Sequence, residues 1–208
     1  MSAAPRTGAP ALPAWPGPTS SLPLHRWWRL DWRFLIPSSE WEVIGCAGEV
    51  DEALRQALPL VASRIEDVAS DSDRVGRAGT CDLVVLVQPT RTELRSAVTA
   101  LRPGGWMYVE VRRTVALRGP RSLMGWRRAC VRSGLEDVAA HWHSPDLAGT
   151  TRMVAVDAGT AIRAVTGGPR TTRSRLRGAA LEVLLRLRLL SAVVPAGSVV
   201  GRRPHGST

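Results

Sequence analysis

Lysine is absent from this chain of 208 residues, and phenylalanine and tyrosine occur once each. All 28 basic side chains are therefore arginines, set against 18 acidic ones, for a formal net charge of +10. A surplus of that size ordinarily points to an anionic partner. Arginine without lysine, amid abundant alanine, glycine and proline, is instead what a GC-rich coding sequence produces without selection for binding. The scarcity of Phe and Tyr also removes the stacking platforms on which RNA-binding sheets depend. Both points argue against a nucleic-acid partner. Cysteine is scarce as well: three residues, with no C-x-x-C and no Cys/His ligand spacing, indicate neither a zinc site nor a redox motif, and no metal is expected. No apolar run is long enough to span a bilayer. Residues 1–24, rich in Ala, Pro, Gly and Ser, lack the basic start and apolar core of a signal peptide and read as a disordered leader. The expectation is a cytoplasmic protein with one domain over 25–208, since 44% hydrophobic and 22% charged residues suffice for a single core.

What is present is most legible at residues 101–111, LRPGGWMYVEV. Pro103 cannot continue the helix that carries Leu94, Val98 and Leu101, while Gly104 and Gly105 can adopt φ > 0 and reverse the chain. A strand over Trp106–Val111 follows. Upstream, CDLVVLV (81–87) is a nearly continuous apolar run, which suits a strand of a parallel sheet buried on both faces. WEVIGCAGEVDEAL predicts a further strand over Trp41–Cys46, a turn of small residues and a helix over Val50–Leu58 closed by Pro59. In such a sheet Cys46 ends its strand and Cys81 begins a parallel neighbour, about 15 to 20 Å away, which forbids a disulfide.

These residues carry a family resemblance. Asp82 opening an apolar strand, a helix, and Leu101, Arg102, Pro103, Gly104 and Gly105 matching L-[KR]-P-G-G before the next strand resemble the central part of class I S-adenosylmethionine-dependent methyltransferases. The likeness covers roughly Trp41 to Asp146, with the C-terminal GSVVGRRP as a last strand. It implies an α/β domain of the Rossmann-like class I methyltransferase fold, a mostly parallel sheet flanked by helices. That fold is shortened between its first and fourth strands. Gly48 and Asp82 are 34 positions apart, whereas the two helices, two strands and four connections of the full fold need roughly 40 to 45 residues. One strand fits near Ser63–Val68.

By the same resemblance, S-adenosylmethionine is the cofactor, and its loop falls on Gly45, Cys46, Ala47, Gly48 and Glu49. The family pattern is an acid, one residue, then G-x-G-x-G. With Gly45 at the first glycine, Ala47 takes the second position, Glu49 the third and Val43 the acid, so one of four signature positions is kept. Glu66 or Asp67 falls at the ribose-binding acid of the second strand, the other reading being a solvated loop carboxylate. Gln88 and Pro89 follow the central strand. VQPT stands there in place of an N-P-P-Y-like tetrapeptide, which argues against a nucleic-acid or glutamine amino methyltransferase.

Farther along, Leu123, Trp126, Ala129, Cys130 and Val131 recur at helical spacing and Gly134 caps the helix. In LEDVAAHWH, His141 and His143 share one face of an alternating segment. Either is a candidate general base for an acceptor hydroxyl; the competing reading is a surface or hairpin histidine. Residues 144–195 read as an insertion or lid before the last strand, with TRMVAVD as a short strand. The Leu/Arg-rich helix within 173–195 either packs on the domain or makes peripheral contact with a membrane. Near the start, HRWWRLDWRFLIP crowds Trp27, Trp28, Trp32 and Phe34 into a segment that packs its indoles on the domain. Two functions follow: methyl transfer from S-adenosylmethionine to a small-molecule oxygen or nitrogen, or a catalytically inactive methyltransferase-like protein that binds or regulates a partner protein.

Overall fold

Leu83, Val85 and Val87 alternate with Val84 and Leu86 along the apolar run, and both sets are buried because β3 (Cys81–Val87) lies inside a sheet covered on its two faces. The structure, a computed structural model, describes residues 29–38, 40–68, 78–112, 120, 122–144, 147, 152–158, 160–161 and 196–206. The leader 1–24, Trp27, Trp28 and the Leu/Arg-rich stretch 173–195 lie outside the described residues, as does most of 144–195. Among the described residues no helix is long and apolar enough to cross a membrane.

Around β3 the chain forms β1 (Trp41–Gly48), α1 (Glu52–Ala57), β2 (Ala62–Asp67), α2 (Arg91–Ala100), β4 (Leu101–Arg112), α3 (Leu123–Arg132), β5 (Glu136–Ser144), β6 (Arg152–Ala155) and β7 (Ala196–Arg202). The seven strands lie in the order β2-β1-β3-β4-β7-β5-β6. The ladders joining β2, β1, β3 and β4 are parallel, and β7 pairs antiparallel with both β4 and β5. β6 closes the far edge, antiparallel to β5. This is the expected Rossmann-like α/β sheet. Its shortening is visible at the near edge: between β1 and β3 the described residues hold α1, a 3₁₀ turn (Leu58–Leu60) and β2, and β2 is the edge strand.

One face of the sheet packs under α2 and α3, where Leu94, Ala97, Trp126 and Cys130 meet Val84, Leu86, Met107 and Val109. The other is covered by α1 and the 3₁₀ turn Asp31–Leu35, with Leu30, Trp32, Leu54 and Leu58 on Ile44, Leu83, Val85 and Tyr108. The N-terminal segment thus packs as expected at Trp32, whose ring stacks on Tyr108 at 4.8 Å and lies 5.8 Å from that of Trp41. Phe34 does not share in this: it is 75% exposed, beneath the Arg33 guanidinium. Local chemistry sets the helix ends. Thr90 and Glu93 form a reciprocal capping box at α2, and the Ser122 hydroxyl accepts from the Gly125 amide at α3. Gly134, at φ 86°, lets the Leu135 amide reach back to the Cys130 carbonyl.

Two local expectations are corrected. Leu101 is not helical: the chain leaves α2 at Ala100 and pairs Leu101 with Cys81. The next partners are Trp106 and Leu83, so Arg102–Gly105 form an excursion from the β3 ladder within one long strand rather than a turn between helix and strand. Gly104 alone of its two glycines takes positive φ, while a Cβ on Gly105 would come within 2.9 Å of the Arg102 carbonyl oxygen. Beneath the excursion, Asp82 accepts from the Glu42 and Val43 amides and pairs with Arg102 at 2.6 Å, tying the starts of β1, β3 and β4 together. The second correction is that β1 does not end at Cys46. It stays in register with β3 through Ala47↔Leu86 and Gly48↔Val87, because small residues there permit the ladder to continue. Cys46, Cys81 and Cys130 are all free thiols.

Gly48 and Gly134 have nearly the same positive φ, 85° and 86°, but different surroundings. A Cβ on Gly48 would overlap the Val87 carbonyl oxygen, while one on Gly134 meets nothing within 4 Å. Gly134→Ala should cost about 1 kcal/mol, the left-handed penalty alone. Gly48→Ala should cost about 3 kcal/mol or more, because the clash adds to it. Urea unfolding of the two variants checks the difference.

Candidate functional site

The chain turns from β1 toward β2 on one side, while β3 leads to β4 on the other, so the carboxyl ends of β1 and β3 flank the point where the strand order reverses. Open α/β sheets bind ligands in the crevice at such a point. Here Gly48 turns the chain and the Glu49 amide donates to the Val87 carbonyl at 2.7 Å, drawing the two strand ends together.

Above them lies Arg29. Its Nη1 donates to Glu110 Oε1 at 2.8 Å and its Nη2 to Glu110 Oε2 at 3.0 Å, a two-pronged pair with the end of β4. Nη2 also reaches Asp51 Oδ2 at 2.9 Å, and Nη1 the Leu147 carbonyl at 3.2 Å. Asp51 is the N-cap of α1, accepting from the Leu54 amide at 2.8 Å, and lies 3.6 Å from Arg112. The Tyr108 hydroxyl donates to Glu110 Oε1 at 3.3 Å. Tyr108 also hydrogen-bonds Ser198, whose hydroxyl meets His143 Nε2 at 2.7 Å. A polar chain therefore runs Asp51, Arg29, Glu110, Tyr108, Ser198, His143 across the carboxyl edge of the sheet. Arg29, Glu110, Ser198 and His143 are all buried.

The electrostatics follow from burial. Desolvation opposes the charge on Arg29, but attraction and hydrogen bonding to Glu110, then Asp51, outweigh it and hold the guanidinium above its ordinary pKa. Desolvation likewise opposes ionisation of Asp51, and the Leu54 amide and Arg29 overcome it, keeping that carboxyl below its usual value. Burial raises Tyr108 well above 10, and the neighbouring Glu110 adds to the effect. His143 is pushed down to about 3, first by burial, then by His141 and Arg29. It is neutral at pH 7 and a poor proton acceptor there.

The residues expected around a cofactor divide into two groups. Gly45 lies within β1, where a Cβ would stand 2.8 Å from Val68, 3.0 Å from Cys81 Sγ and 3.1 Å from Val84, so it faces packed side chains. Cys46 is half-buried, its thiol pushed up to about 12 by burial and then by Asp67, and Ala47 is buried. Glu66 pairs with Arg64 at 3.0 Å, and Pro89 is buried. The second group, Gly48, Glu49, Asp67 and Gln88, gathers at the carboxyl edge. Asp67 closes β2 opposite Cys46 and is exposed. Gln88, at φ 50°, spends its side-chain amide on the backbone of Arg112, accepting at 3.0 Å and donating at 3.2 Å.

His141 and His143 lie on β5, separated from β3 by β4 and β7. Of the reading as surface or hairpin histidines, the antiparallel setting holds, with His141 opposite Ala155 and His143 opposite Met153, and the surface part is corrected: His143 is 1% exposed, and His141 is half-buried with a buried Nδ1 that has no hydrogen-bond partner among the described residues. Burial also lowers the His141 pKa. Sequence reasoning missed Arg29, Asp51, Tyr108, Glu110 and Ser198. The signal for one of them was present, since a carboxylate inside the apolar strand WMYVEV needs a buried partner.

Neither a family model nor a curated protein sequence matches the chain. Among solved structures it is similar to an S-adenosylmethionine-dependent methyltransferase from Archaeoglobus fulgidus, with a TM-score of 0.49 and 11% identity over 86% of this chain and 94% of that one. It is also similar to an S-adenosylmethionine-dependent methyltransferase from Thermotoga maritima, at 0.46 and 9% over 86% and 89%. A phosphoethanolamine N-methyltransferase from Haemonchus contortus, bound to S-adenosylmethionine, is matched at 0.43 and 10% over 83% of this chain and 51% of that one. The chain thus spans about half the length of that protein.

Two outcomes are expected from the buried polar chain. Arg29→Ala strands Glu110 in the interior and should cost about 3 to 5 kcal/mol, whereas Arg29→Met with Glu110→Leu should recover most of that loss; urea midpoints read both. His143 has a folded-state pKa depressed from 6.5 to about 3, so between these values the unfolded chain binds the extra proton. Its contribution is complete above about pH 6.5 and is lost as pH falls toward 3, amounting to about 2 kcal/mol between pH 7 and pH 5. His143→Gln should flatten that dependence.

Proposed function

We propose that this chain is a methyltransferase-like protein that binds or regulates a partner and does not itself transfer methyl groups. The observation that carries this reading is the position of Arg29, whose guanidinium is held by Asp51 and Glu110 over the carboxyl ends of β1 and β4. S-adenosylmethionine carries a sulfonium cation and needs the backbone to approach closely. As arranged, these residues do not fit it. The Arg29 side chain with Glu110 and Asp51 already occupies this edge, and the three charged groups are satisfied by one another rather than turned toward a ligand. The glycine that the resemblance aligns with the cofactor loop is packed inside β1, and the turn at Gly48 is drawn onto Val87 by the Glu49 amide.

A second reading, methyl transfer to a small-molecule oxygen or nitrogen, is favoured by one placement. Asp67 ends β2 beside Cys46, where a carboxylate would meet ribose hydroxyls, and it is exposed. On that reading the N-terminal segment withdraws Arg29 to admit the cofactor.

Isothermal titration with S-adenosylmethionine and S-adenosylhomocysteine separates the two. The first reading expects no heat and no thermal shift at millimolar ligand. Micromolar binding that weakens in Asp67→Asn would overturn it and support the second.

A further inference from the structure

A groove lies between α2 and α3, on the face of the sheet opposite Trp32. It encloses about 280 Å³. Arg91 and Arg95 form one wall. They are one helical turn apart and share a face of α2. Arg132, in the last turn of α3, and Ser133 stand on the other wall, and Leu94, Pro120 and Ala129 supply an apolar lining. Among the described residues no carboxylate lines the groove. The acid nearest in sequence, Glu93, is committed to the Thr90 amide in the capping box.

These arginines differ from most others in the fold. Arg29 and Arg102 are paired with buried carboxylates, Arg64 with Glu66, and Arg127 and Arg203 with backbone carbonyls. Arg91, Arg95 and Arg132 make no side-chain hydrogen bond or ion pair among the described residues. Three exposed guanidinium groups thus line one concavity, where an anion can accept from more than one of them.

We propose that this groove binds a phosphate monoester. A phosphate dianion offers enough acceptor oxygens for two or three guanidinium forks at once, which a single carboxylate does not. The apolar lining suits a small organic group on the ester, and the volume is close to the lower end for small-ligand pockets, about 300 Å³. The site lies apart from the crevice under Arg29, so it stands or falls separately from the function proposed above.

The test is titration of the full chain with phenyl phosphate, inorganic phosphate and benzoate at fixed ionic strength, alongside Arg95→Gln, Arg132→Gln and the control Arg55→Gln on α1. Phenyl phosphate should bind more tightly than inorganic phosphate, and benzoate most weakly. Each groove variant should weaken phenyl phosphate about 5- to 20-fold, with Arg55→Gln unchanged. All of these are surface changes, and thermal unfolding verifies that the variants fold. Equal loss in Arg55→Gln, or no saturable binding of phenyl phosphate at millimolar concentration, overturns the site. Equal affinity for benzoate overturns the ligand class.

Discussion

The buried guanidinium of Arg29 is the constraint on which the carboxyl edge of the described sheet depends. At 4% exposure its charge is compensated by Glu110, which meets it with both oxygens, and by Asp51, a second carboxylate. Those partners come from the end of β4 and the start of α1, and the Leu147 carbonyl adds a contact from the chain beyond β5. One side chain thereby sets the positions of four separate parts of the fold. Such a pair contributes less to net stability than its short distances suggest, because desolvation offsets much of the attraction. Its larger effect is on arrangement, since any alternative that leaves Glu110 buried without Arg29 is costly.

The apolar contacts around the pair reinforce that arrangement. Trp32, three residues after Arg29, stacks on Tyr108, and Tyr108 donates to Glu110. The N-terminal segment is thus anchored by stacking on the sheet and by ion pairing at its carboxyl edge. From Glu110 the polar chain continues through Tyr108 and Ser198 to His143, whose neutrality follows from the same burial. The polar groups gathered along this edge are satisfied by one another.

Much of the fold was legible in sequence. The strand at CDLVVLV and the short strand in TRMVAVD follow from local apolar patterning, and the last strand at GSVVGRRP from the family resemblance. The excursion at Arg102–Gly105 was read as a turn because proline and two glycines look alike in either setting. Only pairing of Leu101 with Cys81 shows that the strand has already begun. The end of β1 was misread for a similar reason: Gly-Cys-Ala-Gly suits a ligand loop, and it equally suits a ladder that small residues allow to continue.

The candidate site was far less legible. Glu110 and Ser198 lie in different strands and meet because β4 and β7 pair antiparallel with those two residues in register. Arg29 is 81 positions from Glu110 and reaches it through the packing of Trp32. By itself the sequence determined which segments are strands and helices and which faces are apolar, because those properties depend on neighbours three or four residues away. Tertiary structure alone decided which charges are buried together and that a guanidinium lies over the crevice, because the desolvation that makes those charges seek each other exists only once distant segments have closed over them.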